Sequence, residues 1–386
     1  MDSPELVQLV RDFNAACSKY LQGSNIVNGD VVIATPQTII DTIFNGTVTV
    51  TAPDVNFENC QINGVGDSET LLTAFHRTKL NNCRLYGSDA GQHRGIRTDA
   101  IGIRLTNSKI INIAKDIDTQ AFGGWDGCED LIADNVDCEA SGEVVMFGGS
   151  TMTHPSNIPE NIQILNCNLT RNLKWRDKPN GITCKNLFEL KNCRNFLMKK
   201  TKMKYSWYDG QQAWGLVLTL RQDPFPQSRL EDIIIEDCDI ESIGQGLDWL
   251  GRDDPYSTNP DNPVATNVTL KNIRFTDVDN KKWGNGEAGR QLLILHGSKN
   301  LILDGLSFKG ENFNSFLSFG GPVDLKNEGF VVKNCDFDEG MYGLIADNMA
   351  PGKQCLDVYA PGYVWENNTV RNQTHGYIYP PGTKGK

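Results

Sequence analysis

The sequence predicts an all-β chain wound as a parallel β-helix, and three observations predict it. One spacing of apolar residues recurs along the chain, an Asn or its equivalent stands at a fixed place within it, and cysteine recurs at the core position beside that place. The unit is two apolar residues two apart, a gap of three, then a second pair two apart. Val55, Phe57, Cys60 and Ile62 form the first clear copy, and Tyr363, Trp365, Asn368 and Val370 the last. Between them lie copies such as Ile162, Ile164, Cys167, Leu169 and Ile233, Ile235, Cys238, Ile240.

Period two puts side chains on one face of a strand, so each pair is a short strand with its apolar face inward. A jump of three that keeps the inward face needs a sharp bend between the two strands. The residue at that bend is Asn59, Asn82, Asn107, Asn135, Asn166, Asp237, Asn272, Gly305, Asn334 or Asn367. These types enter the left-handed backbone region at least cost. Asn in coil after coil also predicts a ladder of stacked amides. Copies fall about every 23–37 residues, giving about eleven coils and a rod of roughly 50 Å at ~4.8 Å per coil.

Residues 3–21 carry Leu6, Leu9, Val10, Phe13, Ala16, Cys17 and Tyr20 at helical spacing, after Ser3-Pro4. Ser before Pro reads as an N-cap and first helical position. The segment 1–24 is therefore expected to be an amphipathic helix capping the solenoid, since a bare strand edge invites end-to-end pairing. The β-helix is expected over 25–372, with 373–386 as a C-terminal tail.

At 386 residues the chain would ordinarily divide into domains, but a solenoid grows along one axis and stays single. Hydrophobic content of 39% with 22% charged residues is an ordinary globular composition. The net charge of −11 leaves no basic stripe for phosphates and argues against a nucleic-acid partner. No apolar run approaches a membrane span. The first twenty residues lack the apolar core of a signal peptide, which predicts synthesis in the cytoplasm, with release as a virion component as one route outward. Eleven cysteines, an odd number without CxxC spacing, read as buried free thiols rather than disulfides or zinc ligands.

The bend with Asn, the inward cysteines and the coil length resemble the right-handed parallel β-helix of the pectate-lyase-like superfamily. The segments GEVVMFGGS (142–150), KNLFELKN (185–192) and LVLTLRQ (216–222), with the Trp175 loop, resemble a group of bacterial right-handed β-helix repeat proteins. That resemblance covers about residues 110–370 and implies the fold. It offers no catalytic residues to carry over, so function is read from side-chain chemistry.

Each coil should carry a third strand, among them 117–122, 143–148, 185–191, 215–221, 246–250 and 291–296. In KNLFELK, Phe188 and Leu190 point inward and leave Lys185, Glu189 and Lys191 outward. The same parity turns Glu143, Asp118, Gln120, Thr219 and Arg221 outward, with Asp248, Arg252, Arg290 and His296 further along. Insertions at 171–184 and 205–214, and the loop around Trp283, are expected to bring Trp175, Trp207, Tyr208, Trp214 and Trp283 to the rim. Aromatic faces beside charged and amide groups suit sugar rings, so the expected partner is a polysaccharide.

Two chemistries fit such a face. A glycoside hydrolase needs two carboxyls, for which Glu143 and Glu189 are the first choice. A polysaccharide lyase needs a base, Lys191 or Arg221, and a neutralised uronate. The catalytic candidates are thus Glu143, Glu189, Lys191 and Arg221. The substrate-binding candidates are Asp118, Gln120, Trp175, Lys185, Trp207, Tyr208, Gln212, Trp214 and Arg252. No cofactor is predicted and no metal ligand is assigned. Ca2+ stays open for the lyase route, although the acidic stretch 248–262 lacks EF-hand spacing. The rival readings are a tailspike-like or decoration protein of a virion, assembled as a homo-oligomer, and a structural protein that binds glycans without cutting them.

Overall fold

A computed structural model describes residues 25–149, 152–176, 182–222, 225–253 and 262–385. Its chain winds through three all-parallel sheets of 13, 14 and 12 strands, called here first, second and third in the order each coil visits them. Every strand pairs with its counterparts one coil before and after, as in Ile164 between Ala133 and Met198. This is the parallel β-helix that the repeat predicts. Among the described residues it is already formed at Asn25, two coils before the first clear sequence copy, which the spacing missed because the first turns carry Thr, Asn and Gln where later coils carry apolar pairs. The expected capping helix at 1–24 lies outside the described residues. The segment 373–385 returns onto the last coils: Lys384–Gly385 pairs with Thr369–Val370, and buried Glu339 accepts hydrogen bonds from Thr374 N and Tyr379 Oη, both at 2.7 Å.

The bend between first and second strands is made as the spacing requires. Nine Asn or Asp residues there, from Asn59 to Asn367, hold φ between 50° and 57°, and Gly305 sits at 72°. Their amides form runs of a ladder, with Asn82 donating to Asn59 at 2.7 Å and Asn135 to Asn107 at 2.8 Å. In most coils the residue after the bend is a small donor, with Val136, Ile273 and Leu306 as exceptions. Cys167, Cys238 and Cys335 each place Sγ 3.2 Å from the carbonyl oxygen two residues back, and Ser108 does the same at 2.7 Å. A thiol fills the core and closes the bend together, which explains why cysteine recurs there. All ten described cysteines are free and buried.

A second line of left-handed residues, Asp54, Asp130, Asn161, Asn195, Asp232, Asn267 and Asn300, turns the chain into the first strand. It carries its own rungs, Asn195 to Asn161 at 2.6 Å and Asn300 to Asn267 at 2.9 Å. Replacing Asn135 by Ala removes a rung and forces a Cβ-bearing residue without a compensating amide into φ 56°. The expected loss is about 1–2 kcal/mol, with Asn135→Gly losing less. Thermal midpoints ranked wild type, Gly, Ala would bear this out, and equal midpoints for Gly and Ala would not.

Inside, side chains stack coil on coil. Phe275 and Phe308 lie parallel at 4.3 Å, and Phe308, Phe337 and Phe316 continue the column. The rigidity that this register gives is what fixes the outward residues of the third sheet.

Candidate functional site

Along the third sheet two adjacent residues in many coils face inward, such as Val144–Val145 and Leu187–Phe188, so the chain bends as it enters the strand. The residue before that bend faces outward, as does the residue after it. Register then aligns Met146, Glu189, Val217, Asp248 and Leu293 in one outward column. Glu143, Asn186, Trp214 and Gln245 lie on the outward side before the bend.

The column floors a groove of about 470 Å3. Glu189, Val217, Asp248 and Leu293 form the floor; Gln211, Gln212 and Trp214 stand at one side, Thr219 and Arg221 at the other. The insertion 205–214 is pinned there because Gly210 N donates to Cys184 O at 2.9 Å and Asn186 donates to Gln211 Oε1 at 2.5 Å.

Glu189 and Asp248 stand two coils apart in this groove with Val217 between them. Two coil rises put their backbones about 9–10 Å apart. Their surroundings differ. Glu189 Oε1 lies 3.1 Å from Lys191 Nζ, and its Oε2 accepts from Asn186 at 3.2 Å. Asp248 has no ion-pair partner among the described residues; burial pushes its carboxyl up to about 6, against the opposing pull of Arg221 and Arg290. A carboxyl without a partner in a sheltered place keeps its proton longer than it would in water.

Glu143 is the correction to the first-choice pair. It does stand on the outer side, but it is 0% exposed and does not line the groove. Burial, then repulsion from Glu189, pushes it up to about 7, with Lys185 opposing. Gln120 donates to its Oε2 at 2.9 Å. Lys185 Nζ approaches Oε1 at 3.2 Å without hydrogen-bond geometry and is bound at 2.5 Å by exposed Asp118. Asp118, Gln120, Glu143 and Lys185 thus form one network behind the groove wall. Behind it, Arg171 is 1% exposed and donates to the carbonyls of Gly142 at 2.6 Å and Asn186 at 3.0 Å, tying the two coils that carry Glu143 and Glu189.

The indoles are placed differently from expectation. Trp175, Trp207 and Trp283, only 4–6% exposed, pack with Cys184 into a small second core beneath the insertions. Arg171 stacks over Trp207 at 5.2 Å, and Trp283 Nε1 donates to Asp277 at 3.0 Å. Indoles in insertions are costly to leave in water, and here they relieve that cost by packing on one another. Trp214 is also mostly buried yet presents an edge to the groove, where exposed Gln212 joins it. Tyr208 is exposed beside the indole cluster, and Arg252 faces a separate cleft with Lys299 and Lys326, its Nη1 donating to Asn262 O at 2.7 Å.

Of the candidates read from the sequence, Glu189, Arg221, Gln212 and Trp214 meet in the groove, and Lys191 touches it through Glu189. Asp248, Arg290, Gln211 and Thr219 complete it. Asp248, Thr219 and Arg290 could be placed on the outward line by parity, but nothing in the spacing singled them out. Among the described residues no three His, Cys, Asp or Glu side chains converge as metal ligands.

No family model matches the chain, and a comparison with curated proteins finds no match. Solved structures do resemble it. A double mutant of the tailspike protein of E. coli bacteriophage HK620, in complex with a pentasaccharide, aligns at 11% identity over 97% of this chain and 65% of its own, with a TM-score of 0.51. The Dettilon tailspike aligns at 10% identity over 96% of this chain and 62% of its own, with a TM-score of 0.44. The catalytic domain of a GH87 alpha-1,3-glucanase, in complex with tetrasaccharides, gives 13% identity over 96% and 65%, with a TM-score of 0.41. This chain therefore spans less than two thirds of the length of both tailspikes. At such identities the likeness is one of fold, and the fold is a right-handed parallel β-helix.

Proposed function

We propose that this protein binds a polysaccharide in the groove of its third sheet and cleaves it by hydrolysis. The carrying observation is the Glu189–Asp248 pair: two carboxyls on one groove floor, two coils apart and differently held. Asp248, its carboxyl pushed up to about 6 by burial, donates from its protonated form to the departing glycosidic oxygen. Glu189, held by Lys191 and Asn186, takes a proton from a water attacking the opposite face of the sugar. A separation of roughly 6.5–9.5 Å leaves space for that water and gives inversion at the anomeric carbon. Two coil rises put the backbones of the pair at the upper end of that range or just beyond it.

Elimination is the weaker reading on this geometry. The Lys191 ammonium is engaged by Glu189, Arg221 is engaged by Asp253 at 2.8 Å, and a guanidinium is a poor base in any case. The tailspike with a bound pentasaccharide supports the proposal only as a fold-level analogy. The experiment is a screen against neutral and acidic polysaccharides, reading new reducing ends and unsaturated uronate absorbance together. Reducing ends without that absorbance, and an inverted anomer by NMR, are expected. Rising absorbance would mean a lyase and overturn the Glu189–Asp248 assignment; binding without any new ends would leave a lectin or a virion adhesin.

A further inference from the structure

The groove contains a cation that no described residue engages in an ion pair. Lys191 is taken by Glu189 at 3.1 Å and Arg221 by Asp253 at 2.8 Å. Arg290, on the coil after Asp248, forms no ion pair among the described residues, and its buried Nε has no hydrogen-bond partner. Its side chain nevertheless lines the groove. Asp248 is near enough to feel its charge yet is not bonded to it. A second group in the same groove is also unanswered: Thr219 is 4% exposed, and its Oγ1 has no partner among the described residues. Buried donors are almost always satisfied, and a groove that keeps two polar groups waiting is built for a polar ligand.

We infer that the groove takes an acidic glycan, and that Arg290 receives the anionic substituent, carboxylate or sulfate, of a sugar lying beside Asp248. The inference rests on the reading of the groove as a glycan site and deepens it by naming the substrate class. A planar guanidinium with free N–H groups matches a carboxylate or sulfate edge in two parallel hydrogen bonds. The overall charge of −11 repels an anionic polymer at a distance, so recognition of one needs an unneutralised cation at the contact itself. Below about pH 6 Asp248 serves the same end, since a neutral carboxyl does not repel the substrate's anion.

The test is calorimetric binding of the full chain to one oligosaccharide backbone in three forms: carboxylated, sulfated and carboxyl-reduced. The better acidic form is expected to bind roughly tenfold or more tightly than the reduced form, with a preference that shrinks as salt rises. The form preferred identifies the anion. Arg290→Gln should collapse the preference, weakening the acidic form far more than the reduced form. Equal binding of acidic and reduced forms by the wild type overturns the acidic assignment while the glycan site stands, and this comparison holds even if the variant does not fold. Equal weakening of every form by Arg290→Gln overturns the role of Arg290. No binding by any glycan overturns the polysaccharide reading, and this inference with it.

Discussion

Replacing Asp248 by Asn is expected to slow glycan cleavage by a factor of about 10²–10⁴ while glycan binding survives, because the change removes a proton donor and little else. The burial that makes Asp248 a good acid also predicts its pH dependence. Its carboxyl is pushed up to about 6, so the protonated form declines as pH rises through that value, and activity should decline with it. Glu189→Gln is expected to cost a similar factor by a different route, since it removes the acceptor for the water's proton. Leaving groups separate the two roles. With an activated aryl glycoside the departing oxygen needs no proton, so the Asp248→Asn defect should shrink toward wild-type rates while the Glu189→Gln defect persists. If both variants respond alike to the leaving group, the acid and base assignments are wrong. If neither variant loses activity on any cleaved glycan, the groove is not the catalytic site.

The fold was legible from the chain because its determinants are local. The Asn before each second strand is needed for its left-handed backbone, and the cysteine after it for its size and its hydrogen bond to the carbonyl two residues back, so both recur at fixed spacing. Phe188 inward and Glu189 outward followed from strand parity alone. The second line of left-handed residues was hidden because it mixes types, Asp54 and Arg77 with Asn161 and Asn195, and lies next to loops of varying length. The pairing of Glu189 with Asp248 was hidden for a related reason. It depends on which residues stack across coils of unequal length, and the insertion at 205–214 breaks the count. Nor could spacing show that Glu143 is shut away from the groove, or that Trp175, Trp207 and Trp283 fold onto one another. Those outcomes depend on how an insertion packs, which no period in the sequence encodes.

The buried Glu143 makes a second large effect measurable, this time in stability. Its carboxyl is pushed from 4.5 to about 7, first by burial and then by Glu189, with Lys185 opposing. Between those values the folded chain holds a proton that the unfolded chain has released, so stability falls as pH rises. The penalty is absent below about 4.5 and complete above about 7, where it is on the order of 3 kcal/mol. Asp248 acts in the same direction over a lower window, from 3.8 to about 6. Glu143→Gln keeps the shape, can still accept from Gln120, and has no charge to bury. Its denaturation midpoint should match wild type near pH 4.5, exceed it increasingly up to about pH 7 and level off above that. The opposite pattern, a variant that loses stability as pH rises, would mean that Glu143 is an ionised partner of Lys185 whose attraction outweighs its burial. The Asp118–Lys185–Glu143 network would then be an ion-pair chain, and the like charges of Glu143 and Glu189 would have to be balanced by Lys185 and Lys191 at the edge of the groove.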